Sequence, residues 1–242
     1  MSAPHFFVEQ LDEDGGEVSL SEGDSRHGLR SLRLRPGDEV TLSDGKGKLG
    51  VGRIAGERGG LAVVQVEEVS RVVHRGTLVS VAFAPPKGDR LSWAIQKLGE
   101  LGVDEAVLMR TARSVRDAPP DRSGQALARL RTVAREAAMQ SRQPFVMEVA
   151  AAASLDDCLA TGGSPALMLA QGGARGVGTL LPEEAGGVRL LVGPEGGWTE
   201  EEIEAARRAG AGLWSLGPSV LRIETAAVVG AALVLAQFGR LG

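Results

Sequence analysis

The 242-residue chain has one cysteine, three histidines and no tyrosine, and only 3% of it is aromatic. A lone Cys158 closes no internal disulfide, and His5, His27 and His74 are too scattered to assemble a zinc site, so no metal is expected. The scarcity of rings argues against the stacking platforms on which single-strand binders lay out bases. No apolar run reaches the roughly 20 residues that cross a bilayer; even Ala226 to Ala236 is broken by Gly230 and ends at Gln237. The first residues carry neither the basic start nor the apolar core of a signal peptide, and cytoplasmic residence is the expectation. Gly172 to Gly178 lacks the Gly-x-Gly-x-x-Gly spacing, and the chain has no Gly-x-x-x-x-Gly-Lys-Ser/Thr. A nucleotide phosphate site is therefore disfavoured, and that glycine stretch reads as a connector after a buried strand.

What is present is ample apolar material, 43% of the chain, enough for one large domain or two modest ones. The net charge of −4 conceals an uneven distribution: residues 73–145 carry 12 basic and 7 acidic groups, whereas 1–72 and 146–242 are both acidic. A positive strip on an acidic protein can track phosphates locally, which makes RNA contact plausible there; a solvated helix face is the plainer alternative.

From Phe6 to Val73 short β-type segments, 5–8, 17–20, 39–43, 48–54 and 61–66, alternate with turn signals such as Asp14-Gly15-Gly16 and Asp44-Gly45-Lys46-Gly47. A small β-barrel is expected over residues 1–72, with Ser25 to Arg33 as one short helix presenting cations. A boundary at Val73 to Thr77 opens a second domain, 77–242, in which strands alternate with helices. That alternation predicts an α/β fold with a mostly parallel sheet covered on both faces. Ala150 to Ala153 reads only as a low-complexity patch.

The most informative stretch is Leu190 to Phe238, where two glycine-punctuated turns each follow a short apolar run. Gly193-Pro194-Glu195-Gly196-Gly197 lies between the strand Val188 to Val192 and a helix opened by the capping box Thr199/Glu202. Leu216-Gly217-Pro218-Ser219-Val220-Leu221-Arg222 follows the strand candidate Leu213 to Leu216 and precedes an almost wholly apolar helix to Phe238. Turns between strand ends and helix starts are where α/β proteins bind ligands, because amides point outward and glycine admits close approach. The helix to Phe238 has no polar face, which predicts burial against another surface and, with it, a homodimer.

Leu191 to Thr199 followed by Leu216 to Ala226 resembles, in order and spacing, the paired cofactor loops of the RsmE family, SPOUT-class methyltransferases with a trefoil knot. The N-terminal block resembles the PUA-like domain of that family, most closely over His27 to Asp38, and Gln96 to Gly102, Arg113 to Val115 and Glu136 to Arg142 match further family blocks. The resemblance implies S-adenosyl-L-methionine as cofactor and methylation of uridine N3 in small-subunit (16S) ribosomal RNA, on the free RNA or the assembled subunit. The pocket it implies is bordered by Leu169, Gly172, Gly193, Glu195, Gly196, Leu216, Gly217, Val220 and Leu221. Arg222 and Glu224 are the catalytic candidates: Arg222 for charge developing on the uracil oxygens, Glu224 as proton acceptor or as a helix cap. His27, Arg30, Arg33, Lys87, Lys97, Arg113 and Arg142 are the expected RNA-facing groups, with Glu100, Glu136 and Gln140 as alternative, buried partners of Lys97, Arg113 and Arg142. Two positions depart from the pattern, His5 and Ser219, where the family commonly has arginine. Two alternatives stay open: a knotted methyltransferase acting on another RNA position or a ribose 2′-oxygen, and a non-catalytic RNA-binding assembly protein.

Overall fold

The computed structural model describes residues 3–73, 76–114, 124–160 and 163–241, without the side chains of Ala151 and Ala152. His74 and Arg75, within the expected boundary, and Val115 lie outside the described residues. The chain forms two compact units, Met1–His74 with Ala138–Val146, and Arg75–Ala137 with Met147–Gly242.

The first unit holds β1 (His5–Phe7), β2 (Gly16–Ser19), α1 (Glu22–Arg26), β3 (Glu39–Ser43), β4 (Lys48–Arg58) and β5 (Leu61–Arg71). The sheet order is β1-β3-β4-β5-β2, with β1 parallel to β3 and the other pairs antiparallel. Alternate residues Gly50, Gly52 and Ile54 of β4 turn inward, and register shifts at Val51/Gly52 and Ile54/Gly56 bend the strand. Phe6, Leu11, Leu20, Val40, Leu42, Ile54, Val64 and Val66 fill one core. The single helix expected over 25–33 is instead α1 running into a π-helical turn, His27–Ser31, whose Gly28 packs close to the ring of Phe6. The later segment Ala138–Val146 joins this unit through the β3–β4 turn. Gly47 N–H donates to the Pro144 carbonyl (3.1 Å), Val146 N–H to that of Gly45 (3.1 Å), and Ser43 Oγ to that of Pro144 (3.1 Å).

The second unit is a six-stranded, all-parallel sheet in the order β11-β9-β10-β6-β7-β8. In chain order its elements are β6 (Leu78–Phe83), α2 (Arg90–Leu101), β7 (Glu105–Arg110), α3 (Gln125–Ser141), β8 (Glu148–Ser154), α4 (Leu155–Leu159), β9 (Ala166–Ala174), β10 (Gly187–Val192), α5 (Glu200–Arg208), β11 (Gly212–Trp214) and α6 (Ile223–Gln237). The last residues of α3 are those counted with the first unit. Both faces of the sheet are covered: Val188, Leu190 and Val192 point into the core shared with α2, α3 and α6, and Leu191 into that shared with α4 and α5. Two expectations are corrected here. Ala150 to Ala153 is not a featureless patch but most of β8, paired with β7, and β9 continues through Gly172 to Ala174 instead of dissolving into a connector.

Helix α6 lies directly on the sheet because Gly230 has no side chain; a Cβ there would sit 2.7 Å from Leu190 Cδ2. Ile223, Ala227, Ala231, Val234 and Leu235 are buried, while Val229 and Leu233 on the opposite face are exposed. Just beyond the helix, Arg240 donates to the carbonyls of Thr77 (2.8 Å) and Gly102 (2.6 Å) and pairs with Asp104 (2.5 Å). Among the described residues no helix is long and apolar enough to cross a membrane.

Candidate active site

The strand order reverses at β6, flanked by β7 on one side and β10 on the other, and the loops leaving the carboxyl ends of β6, β10, β9 and β11 are neighbours. Ligands of open parallel sheets bind at such a switch point. The loop after β10 carries Gly193 to Trp198, then α5, which begins with the expected capping box: Thr199 Oγ1 accepts Glu202 N–H (3.2 Å) and Glu202 Oε2 accepts Thr199 N–H (2.9 Å). The indole of Trp198 folds back beneath the loop, and a Cβ on Gly193 would lie 2.8 Å from its Cε2. Its Nε1–H donates to the carbonyl of Leu169 (2.8 Å), which ties this loop to β9. On the other side of β9, Ser215 N–H donates to the Ala174 carbonyl (2.8 Å), and Gly173 approaches the Leu213–Trp214 backbone so closely that a Cβ would sit 2.7 Å from it. The two glycine loops are thus moored to the same strand.

What these loops present is mostly main chain. Gly172 (φ 78°), Gly197 (φ 71°) and Gly217 (φ 135°) adopt backbone conformations that favour glycine, and at all three the Cβ position faces open space. Glu195, Gly196 and Gly172 are exposed and Leu169, Gly193, Leu216 and Gly217 are partly buried. Val220 is 81% exposed and Leu221 37%, so the second loop offers an apolar edge made chiefly by Val220. Open backbone at three strand ends beside that edge leaves main-chain donors and acceptors, together with an apolar patch, for a ligand.

Arg222 occupies the N-cap of α6 in an extended conformation without a side-chain cap bond. A cation there opposes the positive end of the helix dipole, a local rule broken where chemistry is expected. Glu224, in the first turn, is only 7% exposed, and its Oε1 lies 3.6 Å from Nε of Arg90. Arg90 is the site residue that sequence reasoning missed: it is the first residue of α2, more than 130 positions from Glu224, and the packing of α2 against α6 brings the two side chains together.

The expected RNA-facing groups divide between the units. His27, Arg30 and Arg33 are exposed in the first, and Arg142, also exposed, donates to the Ala3 carbonyl (2.6 Å). Arg33 and Arg142 both have φ of 58°, which is uncommon outside glycine. In the second unit Lys87 is exposed, whereas Lys97 is held by Glu100 (2.7 Å), the partner anticipated as its alternative. Arg113 is engaged by the glycine loop, its Nη1 donating to the carbonyls of Gly196 (3.0 Å) and Trp198 (3.2 Å). His5 is 8% exposed and bonded to Thr41 Oγ1 (2.9 Å), so it does not take the place of a surface arginine. Burial pushes the Cys158 thiol up to about 11, which leaves it unreactive, and no cluster of metal-ligating side chains occurs among the described residues.

Comparison with known proteins matches residues 75–235 to an RNA methyltransferase domain and 20–67 to an RNA methyltransferase PUA domain. Ribosomal RNA small subunit methyltransferase E of Mycobacterium bovis is 34% identical over 95% of this chain and 90% of its own length. A methyltransferase of Legionella pneumophila, solved with its bound cofactor S-adenosylmethionine, superposes with a TM-score of 0.87 at 25% identity, covering 98% of each chain. The ribosomal RNA small subunit methyltransferase E of Neisseria gonorrhoeae, bound to S-adenosylmethionine, does so with a TM-score of 0.84 at 27% identity over 97% of this chain and 98% of its own. The chain therefore belongs to the family of ribosomal RNA small subunit methyltransferase E, an RNA methyltransferase domain joined to a PUA domain.

Proposed function

We propose that the protein uses S-adenosylmethionine to methylate uridine N3 in small-subunit ribosomal RNA. The observation that carries this reading is the mooring of both glycine loops to β9, which sets three stretches of open backbone and the apolar edge Val220–Leu221 at adjoining strand ends. Amides and carbonyls near Gly193, Gly196, Leu216 and Leu221 would read the adenine, with Leu169, Val220 and Leu221 as walls and Gly172, Glu195 and Gly217 at the margin. The bound cofactor supplies an electrophilic sulfonium methyl.

Uracil N3 carries a proton at neutral pH, so it becomes a nucleophile only as that proton leaves. In this reading Arg222 places its guanidinium where negative charge grows on the uracil oxygens, and Glu224 accepts the proton directly or through a water. Arg90 holds the Glu224 carboxylate in place. His27, Arg30, Arg33 and Arg142 of the first unit, and separately Lys87 and Lys97 of the second, are the cations offered to RNA phosphates. A homodimer fits the exposed Val229 and Leu233 of α6, an apolar face that a second copy would cover; sedimentation as a monomer at micromolar concentration would contradict it.

The decisive experiment incubates undermethylated small subunits, or their free RNA, with protein and labelled cofactor, followed by mass analysis of nucleosides. 3-Methyluridine is the expected product. A ribose-methylated nucleoside would transfer the reading to another chemistry, and absence of cofactor binding would reduce the protein to an RNA-binding module.

A further inference from the structure

The loop after β10 contains three glycines within five residues, Gly193, Gly196 and Gly197, and such a sequence has little preference for any one shape. Something outside it must hold it. The turn after β7 supplies the candidate. Thr111 and Ser114 close that turn on themselves, Thr111 N–H donating to Ser114 Oγ (3.0 Å) and Ser114 N–H to the Thr111 carbonyl (3.1 Å). Between them, Ala112 and Arg113 are presented together to the glycine loop. Ala112 N–H donates to Glu202 Oε1 (2.8 Å), the carboxylate whose other oxygen caps α5. Arg113 Nη1 donates to both Gly196 and Trp198 carbonyls, and its stem lies against Gly196, where a Cβ would come within 3.3 Å of Arg113 Cβ. Since β6 stands between β7 and β10 in the sheet, this turn reaches across the end of β6 to make these contacts.

We propose that Arg113 is a positioning residue for cofactor binding, a clamp that fixes the glycine loop, and that its principal role is not to face RNA. The inference rests on the cofactor reading given above. Guanidinium suits the task because it offers several donors in a fixed plane, so one group satisfies two carbonyls while its stem packs; a lysine ammonium is a mobile point charge. Bonds to neutral carbonyls also lack the steep salt dependence of phosphate contacts, which comes from counterion release.

The test uses the full chain and follows S-adenosylhomocysteine binding without RNA by calorimetry at low and high salt, and RNA binding separately over a salt series, for wild type, Arg113→Ala and Arg113→Lys. Arg113→Ala should weaken binding about tenfold or more, equivalent to about 1.4 kcal/mol, with Arg113→Lys intermediate, melting temperatures nearly unchanged, and the ratio independent of salt. Hydrogen exchange at the amides of Gly196 to Thr199 supplies a readout that needs no cofactor, and should accelerate about tenfold in Arg113→Ala at constant global stability. Arg113→Lys, which retains the stem, serves if the alanine variant does not fold. Wild-type affinity for S-adenosylhomocysteine together with unaltered loop exchange in Arg113→Ala would overturn the proposal, and a salt slope for RNA binding reduced by about one would identify an RNA-facing cation instead. Failure of the wild type to bind S-adenosylhomocysteine would overturn the cofactor reading, while loop exchange would still decide whether Arg113 is a clamp.

Discussion

Acidification tests the packing of the first unit through a single side chain. His5 is buried on β1, its Nδ1 hydrogen-bonded to Thr41 Oγ1 and its ring edge-on to Phe7 at 5.5 Å, while its Nε2 has no hydrogen-bond partner among the described residues. Burial, reinforced by the nearby positive charge of Arg142, lowers its pKa from 6.5 to about 4. The folded chain therefore keeps this imidazole neutral while the unfolded chain protonates it, so the unfolded state binds more protons between those values and stability falls as pH falls. At about 1.4 kcal/mol per pKa unit the full effect is about 3 kcal/mol, of which about 2 kcal/mol is gone by pH 5. Above about pH 7.5 the group has almost no influence. The assay is urea unfolding at a series of pH values for wild type and for His5→Gln, which can still bond Thr41 but does not titrate. Carboxylates contribute equally to both proteins, so the difference between the two curves isolates the histidine. Parallel curves down to pH 4, or a ring titration near 6.5 followed by nuclear magnetic resonance, would refute the reasoning.

Gly193→Ala should force the Trp198 indole from its seat, cost about 1–3 kcal/mol in urea unfolding and weaken S-adenosylhomocysteine binding about tenfold, as read by calorimetry. Arg222→Ala should slow methyl transfer to small-subunit RNA about a hundredfold or more while leaving that affinity within about threefold; loss of affinity would reassign Arg222 to cofactor recognition. Arg240→Ala should cost about 1–3 kcal/mol in urea unfolding, because it removes one partner of the partly buried Asp104 carboxylate, which keeps the Val79 N–H, and two donors to backbone carbonyls.

The elements that carry local chemistry were legible before any coordinates. Thr199 and Glu202 form the expected capping box, and Gly193 to Gly197 and Leu216 to Arg222 lie at strand ends as their flanking residues required. Strand β8 was not legible because alanine has little β preference and Ala150 to Ala153 owe their extended form to pairing with β7. Helix α4 was missed although Ser154 and Asp157 make a capping box, since five residues give no periodicity to read. The site shows the same division. The loops themselves were visible, but the pairing of Arg90 with Glu224, the engagement of Arg113 by two loop carbonyls and the burial of His5 all depend on contacts between distant positions, which the type of one residue cannot disclose.

The bonds that join Pro144 and Val146 to the β3–β4 turn bear on how such a protein can be inherited. A fragment cut at residue 74 would lack nine residues that complete its own fold, leaving Gly45 and Gly47 without their backbone partners and Phe145 no longer seated beside Gly47. The N-terminal portion is consequently not a cassette that recombination could move intact between genes. Its finishing piece is encoded in the middle of the other unit, so an intact transfer would have to carry that distant segment along with the first 74 residues.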